Sequence, residues 1–401
     1  MHEENSQGPR TVAFYLPQFH TIDENDEWWG RGFTEWTNVR RAAPLFVGHD
    51  QPRVPAELGY YDLSDPTVVH KQAALAAANG IDAFCMYFYW FNGARLLEKP
   101  VENYLSRGPD FPFCLSWANE NWTRRWDGKD HEILMAQDYR EDTAASVFKD
   151  LLPYLVDPRY LRKSGAAVLV VHRADQLPGG DRFARLWRDE AERHGVGPLW
   201  LIAAETTPGL DPRPLGFDAV AEFPPVGANT LGAAHLTPIA GLDEKFGGRL
   251  LSYDRIAKKF QSRRTPSGFI RHGGVMPGWD NSARRGTRAT VYVGGSPARY
   301  ARWLRAARMT EVRLRGSEGL VFINAWNEWA EGAYLEPDSN SGSSYLEASR
   351  LVPPDDLSTA APLQRGLPSL AYSRSVSLTL LSSMLSWVRA ARIAKRNVVG
   401  Q

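Results

Sequence analysis

Two glutamates three residues apart follow an apolar run in Val321-Phe322-Ile323-Asn324-Ala325-Trp326-Asn327-Glu328-Trp329-Ala330-Glu331-Gly332. Opening an acetal requires a proton on the leaving oxygen and a second carboxylate as nucleophile or base, so a carboxylate pair is the minimal equipment for glycosidic-bond chemistry. One of the two must hold its proton near neutrality, which a neighbouring anion in a dry aromatic pocket achieves. An E-x-x-E alone is common on solvated helix faces. Placed directly after an apolar run, beside Asn327 and Trp329, Glu328 and Glu331 read as catalytic. Glu336 is a third carboxylate nearby, and its setting fits loop structure and sugar contact equally.

Sugar rings present an apolar C–H face and a hydroxyl edge; aromatic rings match the first, and amides, acids and imidazoles match the second. That mixture recurs in Phe33–Asn38, Tyr87–Asn92 and Trp117–Gly128. The expected sugar contacts are Tyr15, His20, Trp36, Tyr87, Trp90, Trp117, Asn119, Glu120, Trp122, His172, Glu205, Trp279, Asn327, Trp329 and Glu336. Of the 14 tryptophans, Trp28, Trp29, Trp36, Trp90, Trp117, Trp122, Trp126, Trp279, Trp326 and Trp329 fall at an expected strand end or in the following loop. This placement points to a carbohydrate-binding rim.

Other chemistries find less support. His172, Glu205, Glu222 and Asp280 could meet at a metal, but the spacing carries no H-x-x-x-H or cysteine signature, so neither a metal nor a cofactor is expected. A P-loop, a G-x-G-x-x-G and a strand followed by Asp-x-Asp are all missing. Lys plus Arg (47) balance Asp plus Glu (46), so no global field selects nucleic acid. Cys85 and Cys114 lie in apolar runs, as buried thiols of a reducing compartment do. The N-terminal residues lack the pattern of a signal peptide, and no stretch is apolar enough to span a membrane. A cytoplasmic protein is expected.

Eight apolar runs could position these residues: Thr11–Leu16, Asp82–Tyr89, Phe111–Trp117, Ala166–His172, Pro198–Glu205, Asp218–Phe223, Gly274–Trp279 and Leu320–Trp326. Most are continuous rather than alternating, as parallel strands covered on both faces are. Helical patterns fill most gaps, with Asp65-Pro66 and Ser296-Pro297 as N-cap and N1 pairs and Gly195 past the end of Asp181–His194. Nearly every run ends in polar or aromatic groups. In a (β/α)8 barrel these ends converge on one mouth, whereas an open sheet gathers ligands at one switch point. The expected fold is therefore a TIM-type (β/α)8 barrel with long βα loops at 17–65, 119–142 and 224–272.

The barrel domain is expected over residues 10–352. From Leu357 to Gln401 there is no acid, while Arg365, Arg374, Arg389, Arg392, Lys395 and Arg396 are basic and Leu378, Leu381, Leu385 and Val388 line one side of a helical pattern. This tail, 353–401, fits either a helix docked on the barrel or an amphipathic helix on an anionic inner-membrane surface.

The segments Phe14-Tyr15-Leu16-Pro17-Gln18-Phe19-His20, Glu24–Gly30, Gly32–Val39, Trp117–Trp122 and Asn324–Gly332 resemble the WbsX-type family, which is related to glycoside hydrolase family 99. The resemblance runs from about Arg10 to Tyr345 and leaves out the tail. It implies a (β/α)8 barrel. Family 99 members are endo-acting, retaining α-mannoside hydrolases whose Asn-Glu-Trp-His-Glu-Gly motif supplies a base for the sugar 2-hydroxyl and a general acid/base. Those roles would map onto Glu328 and Glu331; Ala330 stands where that family has histidine. WbsX-type proteins are described as glycosyltransferases of O-antigen and polysaccharide clusters. The expected substrate is an oligosaccharide or polysaccharide, free or lipid-linked, handled by glycosidase or transglycosylase chemistry. A glycosyltransferase and a non-catalytic glycan-binding barrel are the alternatives.

Overall fold

The computed structural model describes residues 8–124 and 129–350. Trp126 and the 353–401 tail lie outside the described residues. Eight strands form the barrel: β1 (Arg10–Tyr15), β2 (Ala83–Phe91), β3 (Phe113–Trp117), β4 (Ala166–Val171), β5 (Leu199–Ala204), β6 (Ala219–Ala221), β7 (Ile270–Val275) and β8 (Leu320–Ile323). Each pairs in parallel with its sequence neighbours. β1 pairs with both β2 and β8, which closes the ring.

The strands read as unbroken apolar runs because both faces are covered. Phe14 of β1 meets Tyr87, Phe223 and Phe322 across the interior, and the main hydrophobic cluster also includes Val69, Val147, Ala184 and Leu304 of the surrounding helices. Cys85 and Cys114 are register partners on β2 and β3 and remain buried free thiols. Strand β7 begins four residues earlier than its hydropathy suggests. Arg271 and His272 hide it: Arg271 pairs with Glu222 at 3.2 Å, and His272 lies 3.3 Å from the buried Glu311.

Three helices matter for the site. Between β1 and α3 (Pro66–Ala78) run α1 (Asp23–Trp29) and α2 (Glu35–Arg41). After β7 comes a one-turn helix, Ser282–Arg285, here called the arginine turn. The excursion after β6 returns through Arg249–Ser252, which pairs in parallel with Thr290–Val293. No helix among the described residues is long and apolar enough to cross a membrane.

Candidate active site

The segment after β8 is held by its amide and by a carboxylate that faces away from the cleft. Asn327 accepts the backbone N–H of Leu16 at 2.7 Å and donates to the Leu16 carbonyl at 3.0 Å, which ties this segment to the end of β1. Asn327-Glu328 pairs antiparallel with Ala333-Tyr334, and the turn between them closes at Gly332, where φ is +60°. A Cβ there would meet Asp280 Cβ at 2.9 Å and the Arg53 guanidinium at 3.0 Å, so only glycine fits. Behind the turn, Glu336 accepts four hydrogen bonds: from Gln72 (2.6 Å) and Trp326 (3.0 Å) at one oxygen, and from Tyr61 (2.8 Å) and Trp329 (2.6 Å) at the other. Burial pushes its pKa up to about 7 against the pull of these donors.

Glu328 and Glu331 therefore leave a braced turn and line the same cleft, of about 740 Å³. Arg284, on the arginine turn, bridges them. It donates to Glu331 at 2.6 Å, to Glu328 at 3.1 Å and to the buried Glu35 of α2 at 3.0 Å. Asp280 anchors the arginine turn by accepting Ser282 N–H at 3.0 Å, and its own N–H donates to the Glu331 carbonyl at 2.6 Å. His49, Gln51 and Arg53 surround the Asp280 carboxylate, and its pKa lies below the usual range despite burial, through the His49 hydrogen bond and the Arg53 charge. Burial raises the Glu328 pKa well above the ordinary carboxylate range. Arg284 opposes that rise, while Glu331 and Glu35 add to it.

Tyr87, Tyr89, Glu120, Trp122, His172, Phe223 and Trp279 complete much of the lining, with Gln18 donating to the Tyr89 hydroxyl at 2.9 Å. Burial, then the Glu328 charge, holds both tyrosines in their phenol form. The other expected contacts lie off the cleft. Tyr15 is buried and donates to Gln72; His20 is buried; Trp36 donates to the Tyr61 carbonyl. Trp90 donates to Asp150, Trp117 to the Trp90 carbonyl, and Asn119 to Tyr139 and the Arg173 carbonyl. Asn327, Trp329 and Glu336 form the brace. Among the described tryptophans, only Trp122 and Trp279 line the cleft. Most other strand-end indoles are core residues whose N–H groups pin loops.

Alternation along a strand explains Glu205 and Glu222. Their neighbours Thr206 and Phe223 line the cleft, so the glutamates point outward. Outside the barrel Arg263 clasps Glu205 at 2.5 and 2.6 Å and reaches Glu222 at 3.0 Å. Burial pushes the Glu222 pKa up to about 7. Among the described residues, no three of His, Cys, Asp or Glu gather as metal ligands. The sequence reading missed Arg284 and Glu35. Glu35 lies within Gly32–Val39, but nothing in the spacing tells that an arginine 249 positions away meets it.

The chain matches the family described as glycosyltransferase WbsX over residues 11–349. WxcX from two strains of Xanthomonas campestris pv. campestris is 44% and 43% identical over 343 residues, covering 84% of this chain. Those residues are 49% of each relative, so the chain spans about half the length of the curated relatives it matches. Among solved structures, a glycoside hydrolase-like protein aligns over 87% of this chain and 96% of its own, with a TM-score of 0.54 and 13% identity, which speaks to the barrel fold alone. A GH99 endo-α-mannosidase from Bacteroides thetaiotaomicron aligns over 85% and 94% at a TM-score of 0.49 and 13% identity. With a braced carboxylate turn on a closed barrel and a family match across nearly all its described length, the chain belongs to the WbsX glycosyltransferase family.

Proposed function

We propose that the chain is a glycan-active enzyme whose cleft takes a sugar of a bacterial surface polysaccharide or its precursor, and whose Glu328 and Glu331 act at a glycosidic bond. One observation carries this reading: both carboxylates leave one turn, reach one cleft and share one guanidinium, beside Tyr87, Tyr89, Trp122 and Trp279. In this mechanism Glu331 donates a proton to the leaving oxygen and later accepts one from the incoming hydroxyl. Glu328, in the ionised form that burial confines to higher pH, takes the proton of the sugar 2-hydroxyl as the bond opens. The freed oxygen closes on C1 in place of the leaving group, and the incoming hydroxyl then reopens that ring at C1 while Glu328 returns its proton to the 2-oxygen. Water as the incoming hydroxyl gives hydrolysis, and a sugar hydroxyl gives transfer. The test is incubation of the protein with the host's polysaccharide and lipid-linked intermediates, followed by mass spectrometry. New or shortened glycans that need Glu331 support the reading; an unchanged glycan profile across all substrates contradicts it.

A second reading, a glycosyltransferase using an activated donor, draws on the family description and on Arg249, Arg285 and Arg288, which line the cleft. It predicts product only when an activated sugar is supplied.

A further inference from the structure

The cleft has a wall that the acid/base chemistry does not use. Arg249, Arg285 and Arg288 line it together with Gly247, Gly248, Asn281 and Thr290. Among the described residues, segment 247–290 contributes no carboxylate to this lining. The wall is built by a close backbone pass: Gly247 N–H donates to the Thr287 carbonyl at 2.9 Å, and Arg249 N–H to the Ala289 carbonyl at 2.7 Å. A Cβ on Gly248 would overlap the Ala289 carbonyl oxygen, so only glycine lets Arg249 come this close to residues 287–290. The arginine turn joins the wall to the carboxylates, because Arg284 holds Glu328 and Glu331 while the adjacent Arg285 lines the wall.

We propose that this wall is a subsite for a diphosphate, so that the glycan substrate is a sugar carrying that group; this rests on the proposed function. Guanidinium forks bind planar or tetrahedral oxyanions bidentately, and clustered cations facing a cleft raise the local anion concentration. Elsewhere in the molecule one arginine, Arg263, clasps one carboxylate, Glu205, through two bonds. Three arginines exceed what a single uronate would need. A diphosphate offers enough charge and enough oxygens for all three. Its source is a nucleotide or a polyprenyl chain.

Calorimetric titration of the full chain with inorganic pyrophosphate tests the subsite. Saturable binding is expected, weakening about tenfold in R285Q/R288Q and falling with salt. Arg288 is exposed and Arg285 half-buried, so the fold tolerates both changes; G248A, which displaces Arg249, gives an independent variant. Titrations with UDP and geranyl diphosphate separate the sources, and the tighter of the two names the substrate's other end. Pyrophosphate binding that is absent, or equal in all variants, overturns the proposal, as does binding of both conjugates more weakly than pyrophosphate. The glutamate reading fails separately: E331Q with normal turnover removes it, while arginine-dependent pyrophosphate binding still upholds the subsite.

Discussion

Replacing Glu336 with glutamine isolates the cost of the buried charge that braces the turn. All four partners of Glu336 donate, and the side chain is buried. Its folded pKa of about 7 lies above the ordinary 4.5, so its contribution to stability is fully present below 4.5 and is lost as pH rises through 7. At about 1.36 kcal/mol per tenfold change in proton affinity, that displacement amounts to roughly 3 kcal/mol. Glutamine carries no charge at any pH, so it removes the titration, while its NH2 donates where one carboxylate oxygen accepted two bonds, an offset that does not change with pH. The stability of E336Q relative to the wild type should therefore rise by roughly 3 kcal/mol between pH 5 and pH 9, whatever its offset at pH 5. Urea denaturation of both proteins across this range measures the difference, in which other titrating groups such as Glu222 cancel. A difference that stays flat, or a variant that weakens as pH rises, would refute the reasoning by showing that the four donors outweigh burial.

Removing the shared cation in R284M should raise the Glu328 pKa further and move the acid limb of kcat/KM to higher pH; an unmoved limb would contradict Glu328 as the base. The same variant leaves Glu35 buried beside no guanidinium and should cost about 3–5 kcal/mol of stability by urea denaturation. N327A strips two hydrogen bonds from the Leu16 backbone and should cost about 2–5 kcal/mol, so a stability equal to the wild type would argue against the brace. W122A should raise KM about tenfold with little change in kcat, as expected for a lost stacking face; an unaltered KM would place the sugar elsewhere.

The barrel was legible because parallel strands buried on both faces leave a strong, repeated signal, and Leu320–Ile323 running into Glu328 and Glu331 marked the mouth. Local alternation was not legible. Glu205 and Glu222 end strands as site residues do, yet point outward to Arg263, and only their distance in phase from Thr206 and Phe223 separates the two cases. Indoles misled for a related reason. Trp90, Trp117, Trp326 and Trp329 stand at strand ends because a large ring with one N–H both fills space and fastens a loop. Arg284 could not be read at all: its partners lie on two distant segments, Glu35 on α2 and Glu328 with Glu331 on the turn after β8, which only barrel closure brings to it.

The glutamate pair is tested most directly by measuring turnover and glycan binding side by side in E331Q and E328Q, on whichever substrate the product survey identifies. Losses of several orders of magnitude in kcat, with glycan dissociation constants near that of the wild type, are expected for both. Turnover within about tenfold of the wild type in either variant would contradict the assignment of that glutamate to the chemistry.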